Sequence, residues 1–188
     1  MMADFAAARL NMVESQVRTA DVTDVRLHDA MRVLPRERFM PTDKSHLAYA
    51  DIEVEYAPGR WLLKPRDVSK LLQALRPMPG ERALAIGAPY AAAVIEELGL
   101  PVTRVEPAEA LPAGTFDVIV CEGSVGRAPD AWLAALAPNG RLGVVERDGP
   151  VGKACVYVRA ADGVGRRDLF DSFAPVLSGF EARHGFAL

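Results

Sequence analysis

The run Arg82-Ala83-Leu84-Ala85-Ile86-Gly87-Ala88-Pro89-Tyr90-Ala91-Ala92 constrains this chain more than any other segment. Four apolar residues, Ala83 to Ile86, lead into a glycine. Apolar residues then recur at helical spacing from Tyr90 to Leu98. A short apolar strand that turns through glycine into a helix is the first unit of a Rossmann-like parallel sheet. A loop of that kind that holds a nucleotide carries several glycines, so that backbone N–H groups approach the ligand closely. Here Gly87 stands alone, and Pro89 has no N–H to offer.

The alternation continues downstream. Strands are expected at 102–106, 116–121, 141–145 and 154–159, with a helix at 130–136. Pro138-Asn139-Gly140 reads as a turn, Gly163-Val164-Gly165 as a hairpin loop, and Asp168 to Phe173 as a closing apolar-patterned segment before an apolar tail from Phe180 to Leu188. Upstream, Ala6, Leu10, Val13 and Val17 recur at helical spacing. Thr23 or Asp24 caps a second helix with Leu27, Ala30, Met31 and Leu34 on its apolar stripe. Pro35 and Pro41 bracket an irregular link, and 49–63 reads as loop or short β pieces. A third helix runs from Arg66 to Leu75 and stops before Pro77. The expected fold is a single α/β domain over 1–188, with a helical N-terminal region at 1–80 and a Rossmann-like core at 81–188.

The link from Glu106 to Phe116 sharpens that fold. Its nine residues, 107–115, are too few for the helix and third strand of a complete doubly wound half. If strand 116–121 lies beyond strand 83–86, the link returns roughly 20 Å along the sheet and about 10 Å across it. Nine extended residues span about 30 Å, so the link is nearly taut. Pro107 and Pro112 suit an extended path. The third strand and its helix are therefore expected to be missing, and with them the wall that would hold an adenine ring.

Glu106 ends the second strand 19 residues after Gly87. An acidic residue at that place accepts hydrogen bonds from ribose hydroxyls in Rossmann-like sites. Gly87 and Glu106 are thus the candidate cofactor-binding residues. Other chemistry is not signalled. His28, His46 and His184 lack metal-ligand spacing, so no metal site is expected. Cys121 and Cys155 lie in apolar β-like runs and read as buried core residues. Ser124 reads as a turn or cap residue, Trp61 and Trp132 as packing residues, and no catalytic residue is assigned. A net charge of −3 gives no reason to expect nucleic acid or an anionic membrane as partner. No apolar run approaches the roughly 20 residues that span a bilayer. Met1-Met2-Ala3-Asp4-Phe5 lacks the pattern of a signal peptide, so a cytoplasmic location is expected.

A wider set of residues resembles the protein-L-isoaspartate O-methyltransferases. It comprises Met12-Val13, Gln16-Val17-Arg18, Asp24, Ala30-Met31, Pro35-Arg36, Phe39, Pro41, Tyr49-Ala50-Asp51 and Lys64-Pro65. The register continues through Ala83 to Gly87, Val102 to Glu106, Phe116 to Val120 and Pro138 to Leu142. The resemblance implies a Rossmann-like methyltransferase sheet and methyl transfer from S-adenosylmethionine to the side-chain carboxylate of L-isoaspartate. It places Gly87 beside the cofactor and Glu106 at its ribose. The departures fall in the same site. The family's glycine-rich loop is Gly87-Ala88-Pro89 here, and its carboxylate before that loop is Ala85. Its acidic-glycine element near the adenine has no counterpart. Its Gln-Thr-hydrophobe-Ser-Gln-Pro run is Arg60-Trp61-Leu62-Leu63-Lys64-Pro65, with Leu63 in the serine's place. Three readings stay open. One is a degenerate member that binds little or no S-adenosylmethionine and acts by binding another protein. The second is an active protein carboxyl methyltransferase. The third is a dinucleotide-binding enzyme, against which the absent G-x-G-x-x-G counts. The oligomeric state is not legible.

Overall fold

A side-chain oxygen of Asp4 accepts the N–H of Ala7 and opens helix α1 (Phe5–Met12). The structure, a computed structural model, describes residues 4–182. The helix loosens through a π turn (Val13–Val17) and tightens through a 3₁₀ turn (Arg18–Ala20), then stops where Asp21 turns left-handed at φ 61°. Of the two candidate caps, Asp24 starts α2 (Val25–Val33) by accepting from the N–H of Arg26. Met12, Val13, Val17, Leu27 and Met31 form the buried stripe between the two helices and the rest of the fold. Two 3₁₀ turns, Arg36–Phe39 and Thr42–Leu47, fill the proline-rich link. The expected β pieces are a hairpin of β1 (Val54–Ala57) and β2 (Arg60–Leu62). Helix α3 (Pro65–Leu75) begins on its proline, which suits a first helical position, and ends at a left-handed Arg76.

From residue 83 the chain builds a sheet of β3 (Ala83–Ile86), β4 (Val102–Val105), β5 (Phe116–Val125), β6 (Leu136–Glu146), β7 (Gly152–Ala160) and β8 (Gly163–Ser172). Helix α4 (Pro89–Glu97) follows β3, and the short α5 (Asp130–Ala134) follows β5. The strand order is β4-β3-β5-β6-β7-β8; the first four are parallel, β7 runs antiparallel to β6, and β8 runs antiparallel to β7. Side chains alternate between faces as strand geometry requires. Ala83 and Ala85 face α3, α4 and the N-terminal helices, while Leu84 and Ile86 face the second core with Phe116, Ile119 and Trp132.

The third strand is absent among the described residues, as the short link requires: β4 is the edge of the sheet. Residues 107–115 leave the end of β4, turn where the N–H of Glu109 donates to the carbonyl of Glu106, and cross β3 to reach β5. Three local expectations are corrected. Pro138-Asn139-Gly140 is not a turn before the strand but an irregularity inside β6, with Asn139 at φ 63°. The last hairpin turns at Ala161-Asp162, and Gly163 to Gly165 already pair with β7. Ser124 lies within β5 rather than in a turn, and its hydroxyl donates to the carbonyl of Ala174. The tail beyond Ala182, including His184, lies outside the described residues. Among those described, no helix is long and apolar enough to cross a membrane.

Candidate cofactor site

Gly87 and Glu106 are brought together. Both line a shallow groove at the carboxyl ends of β3 and β4, with Tyr56, Ala85, Ala88 and Pro89. That is the end of an open parallel sheet where ligands bind. The groove's volume is about 180 Å³, below the roughly 300 Å³ at which small-molecule sites begin. Its glycine is committed to the fold. Gly87 sits at φ 52° and donates its N–H to the carbonyl of Val105 at 2.8 Å. A Cβ at Gly87 would stand 2.8 Å from Pro107 Cγ, so the taut link lies directly on the loop. Glu106 is half-exposed and accepts from Arg60 Nε at 3.0 Å, while its own N–H donates to the Glu109 carboxylate.

The run where the family places a serine is equally closed. Leu62 and Leu63 are fully buried at the end of β2, and the Leu63 carbonyl accepts from Arg36 Nη2 at 2.5 Å. Behind it lies a group of polar residues that sequence reasoning did not single out as a site. Arg36, Tyr90 and Glu122 are all fully buried. The Arg36 guanidinium stacks 4.6 Å from the centre of the Tyr90 ring. Arg36 Nε and Nη1, both Glu122 carboxylate oxygens and the hydroxyls of Tyr90 and Tyr56 have no hydrogen-bond partner among the described residues. The only legible signal was an acid after the unbroken apolar run Val118 to Cys121; the glycine and serine behind it suggested a loop instead.

The electrostatics follow from burial. Desolvation pushes the Glu122 carboxyl up to about 7; Arg36 and then the N–H groups of Ala91, Tyr90 and Leu63 pull the other way without closing a bond of good geometry. Burial lowers Arg36 from the usual guanidinium range and raises Tyr90 and Tyr56. The first turn of α4 begins with Pro89 and aims its next two N–H groups at Glu122. A helix N-terminus is a ready anion site, and here the group that faces it is the protein's own carboxyl.

The remaining expected residues are structural. Trp132 is buried and Trp61 half-buried against the second core. Cys121 and Cys155 are buried free thiols, and burial raises both. His28 is buried with Nε2 at 2.7 Å from the Val22 carbonyl. Among the described residues no cluster of histidine, cysteine or carboxylate could hold a metal.

Comparisons with known proteins bear on this geometry. The family described as protein-L-isoaspartate(D-aspartate) O-methyltransferase matches residues 8–112. A protein-L-isoaspartate O-methyltransferase of Methylorubrum extorquens is 32% identical, covering 94% of this chain and 91% of its own. One from Aeropyrum pernix is 32% identical over 84% of this chain and 69% of its own. The Methylorubrum alignment needs 208 positions to cover 94% of a 188-residue chain, so that relative holds residues this one skips. Among solved structures, a Plasmodium falciparum protein-L-isoaspartate O-methyltransferase in complex with S-adenosyl-L-homocysteine shares the fold. Its TM-score is 0.76 at 16% identity, covering 90% of this chain and 98% of that one. With its sheet, its N-terminal helices and most of its length accounted for in this way, the chain belongs to the protein-L-isoaspartate O-methyltransferase family.

Proposed function

We propose that this chain is a member of the family that has lost its grip on S-adenosylmethionine and acts by binding another protein. The observation that carries this reading is the closed loop seat. The N–H of Gly87 is spent on Val105, Pro107 covers the glycine, Pro89 has no N–H, and the next N–H groups of α4 face Glu122. Four donors that would meet a cofactor are thus absent or turned inward. Ala85 removes the carboxylate, and the absent third strand removes the adenine wall. The residues present do not fit the cofactor. A cytoplasmic setting and a protein partner belong to the same proposal.

The alternative, an active L-isoaspartyl methyltransferase, is favoured by one observation: the Glu106 carboxylate still lines the groove at the end of β4. An assay with labelled S-adenosylmethionine and an isoaspartyl peptide separates the two. No turnover above the blank is expected, with a curated relative as positive control. Methyl ester formation that depends on Glu106 would establish the alternative.

A further inference from the structure

The polar group behind the loop is unusual because, apart from the bond from Arg36 Nη2 to the Leu63 carbonyl, its buried polar atoms have no hydrogen-bond partner among the described residues. Arg36, on the 3₁₀ turn at 36–39, and Glu122, on β5, are both without exposure, yet they make no direct hydrogen bond to each other. A buried charge without a partner is costly, and it relaxes either by taking or losing a proton or by admitting water. Every element packed around Glu122 contributes a group to this balance. Arg36 faces it from the turn, Tyr90 and the N–H groups of α4 from the helix, Tyr56 from β1, the Leu63 N–H from the end of β2, and Cys121 from its own strand. Further out, Tyr49 acts on Arg36 and Tyr90, and Glu106 and Arg60 act on Tyr56. Tyr56 also connects the group to the surface. It lines the groove, and its hydroxyl would stand 3.7 Å from a Cβ on Gly87.

We propose that Glu122 is a proton switch for this seat: its neutral form fits the closed packing of α4 against β5, and loss of the proton shifts the seat toward a hydrated, open form. The closed form excludes water from the carboxyl and so binds the proton more tightly than an open form, in which the carboxyl titrates in the ordinary range. Raising the pH therefore favours opening. The window runs from the usual carboxylate value of 4.5 up to about 7, and above it both forms are ionised and nothing further changes. Within the window the closed form loses ground to the open one by up to about tenfold per pH unit.

Amide hydrogen exchange of the wild type and Glu122→Gln between pH 5 and 8, corrected for intrinsic rates, tests this. The protection of the Leu63, Tyr90 and Ala91 amides in the wild type is expected to fall relative to the variant up to about neutrality and then run parallel to it. Sheet amides such as Ile119 should keep a constant ratio. An unchanged ratio at the seat, or a fall shared equally by Ile119, overturns the switch. If the variant does not fold, the wild-type Glu122 carboxyl carbon is followed by NMR. A midpoint near neutrality supports the switch, and one in the ordinary carboxylate range overturns it. Neither measurement needs a cofactor or turnover, so the switch and the lost-cofactor reading fail separately.

Discussion

Leu63 serves two roles that a serine would fill less well. Its side chain is fully buried in the helical-face core, and its carbonyl holds Arg36. Replacing it with serine removes apolar volume and buries a hydroxyl, so Leu63→Ser is expected to cost about 3 kcal/mol in urea unfolding. It should restore no methyl transfer, because the loop seat stays closed. Gly87 carries a different constraint. Its positive φ and the overlying Pro107 leave no room for a side chain. Gly87→Ala should destabilise by about 1–2 kcal/mol, read as a lower urea midpoint at unchanged slope. These two losses, Leu63 and the solitary Gly87, were legible from residue type alone. Glu122 was not, because Glu122-Gly123-Ser124 has the composition of a loop. Gly123 at φ 93° lets β5 make a register shift there and continue, with Ser124 bridging Val176. A bulge of that kind depends on a partner segment fifty residues away in the chain, which local propensity does not report.

Among elements, the end of α3 is held by one side chain. Arg141 on β6 donates from Nε to the Leu75 carbonyl at 2.8 Å, from Nη2 to the Arg76 carbonyl at 2.7 Å, and from Nη1 to Glu81 Oε1 at 2.6 Å. It satisfies carbonyls that the helix leaves open and ties α3 to the sheet before the chain enters β3. Arg141→Met should cost about 2–3 kcal/mol by urea denaturation, and Arg141→Lys should recover little of it, since an ammonium cannot reach three acceptors in this fan. The elements from 65 to 105 were readable from sequence to within a residue or two, because a proline start, a glycine turn and a change of period mark each boundary. The start of β6 was not. Pro138-Asn139-Gly140 has strong turn chemistry, but β5 pairs on either side of it, with Leu136 and with Arg141, and the strand runs on across the irregularity. The absence of the third strand was legible for a reason independent of propensity: nine residues cannot hold it.

At the scale of the whole molecule, the family's sheet is kept and the carboxyl ends of β3 and β4 hold only a small groove of about 180 Å³. The link presses on the loop, Arg60 engages Glu106, and an internal carboxylate faces the helix N-terminus. The same crossover that shortens the sheet makes β4 its edge. On the reading proposed above, a chain built in this way keeps the framework of a protein-L-isoaspartate methyltransferase and gives up the space its cofactor needs. The most direct test is calorimetric titration of the purified protein with S-adenosyl-L-homocysteine near neutral pH. The expected result is no binding heat with ligand at about millimolar concentration, where even a weak site would register. A saturable isotherm with a Kd of about micromolar would contradict the closed seat.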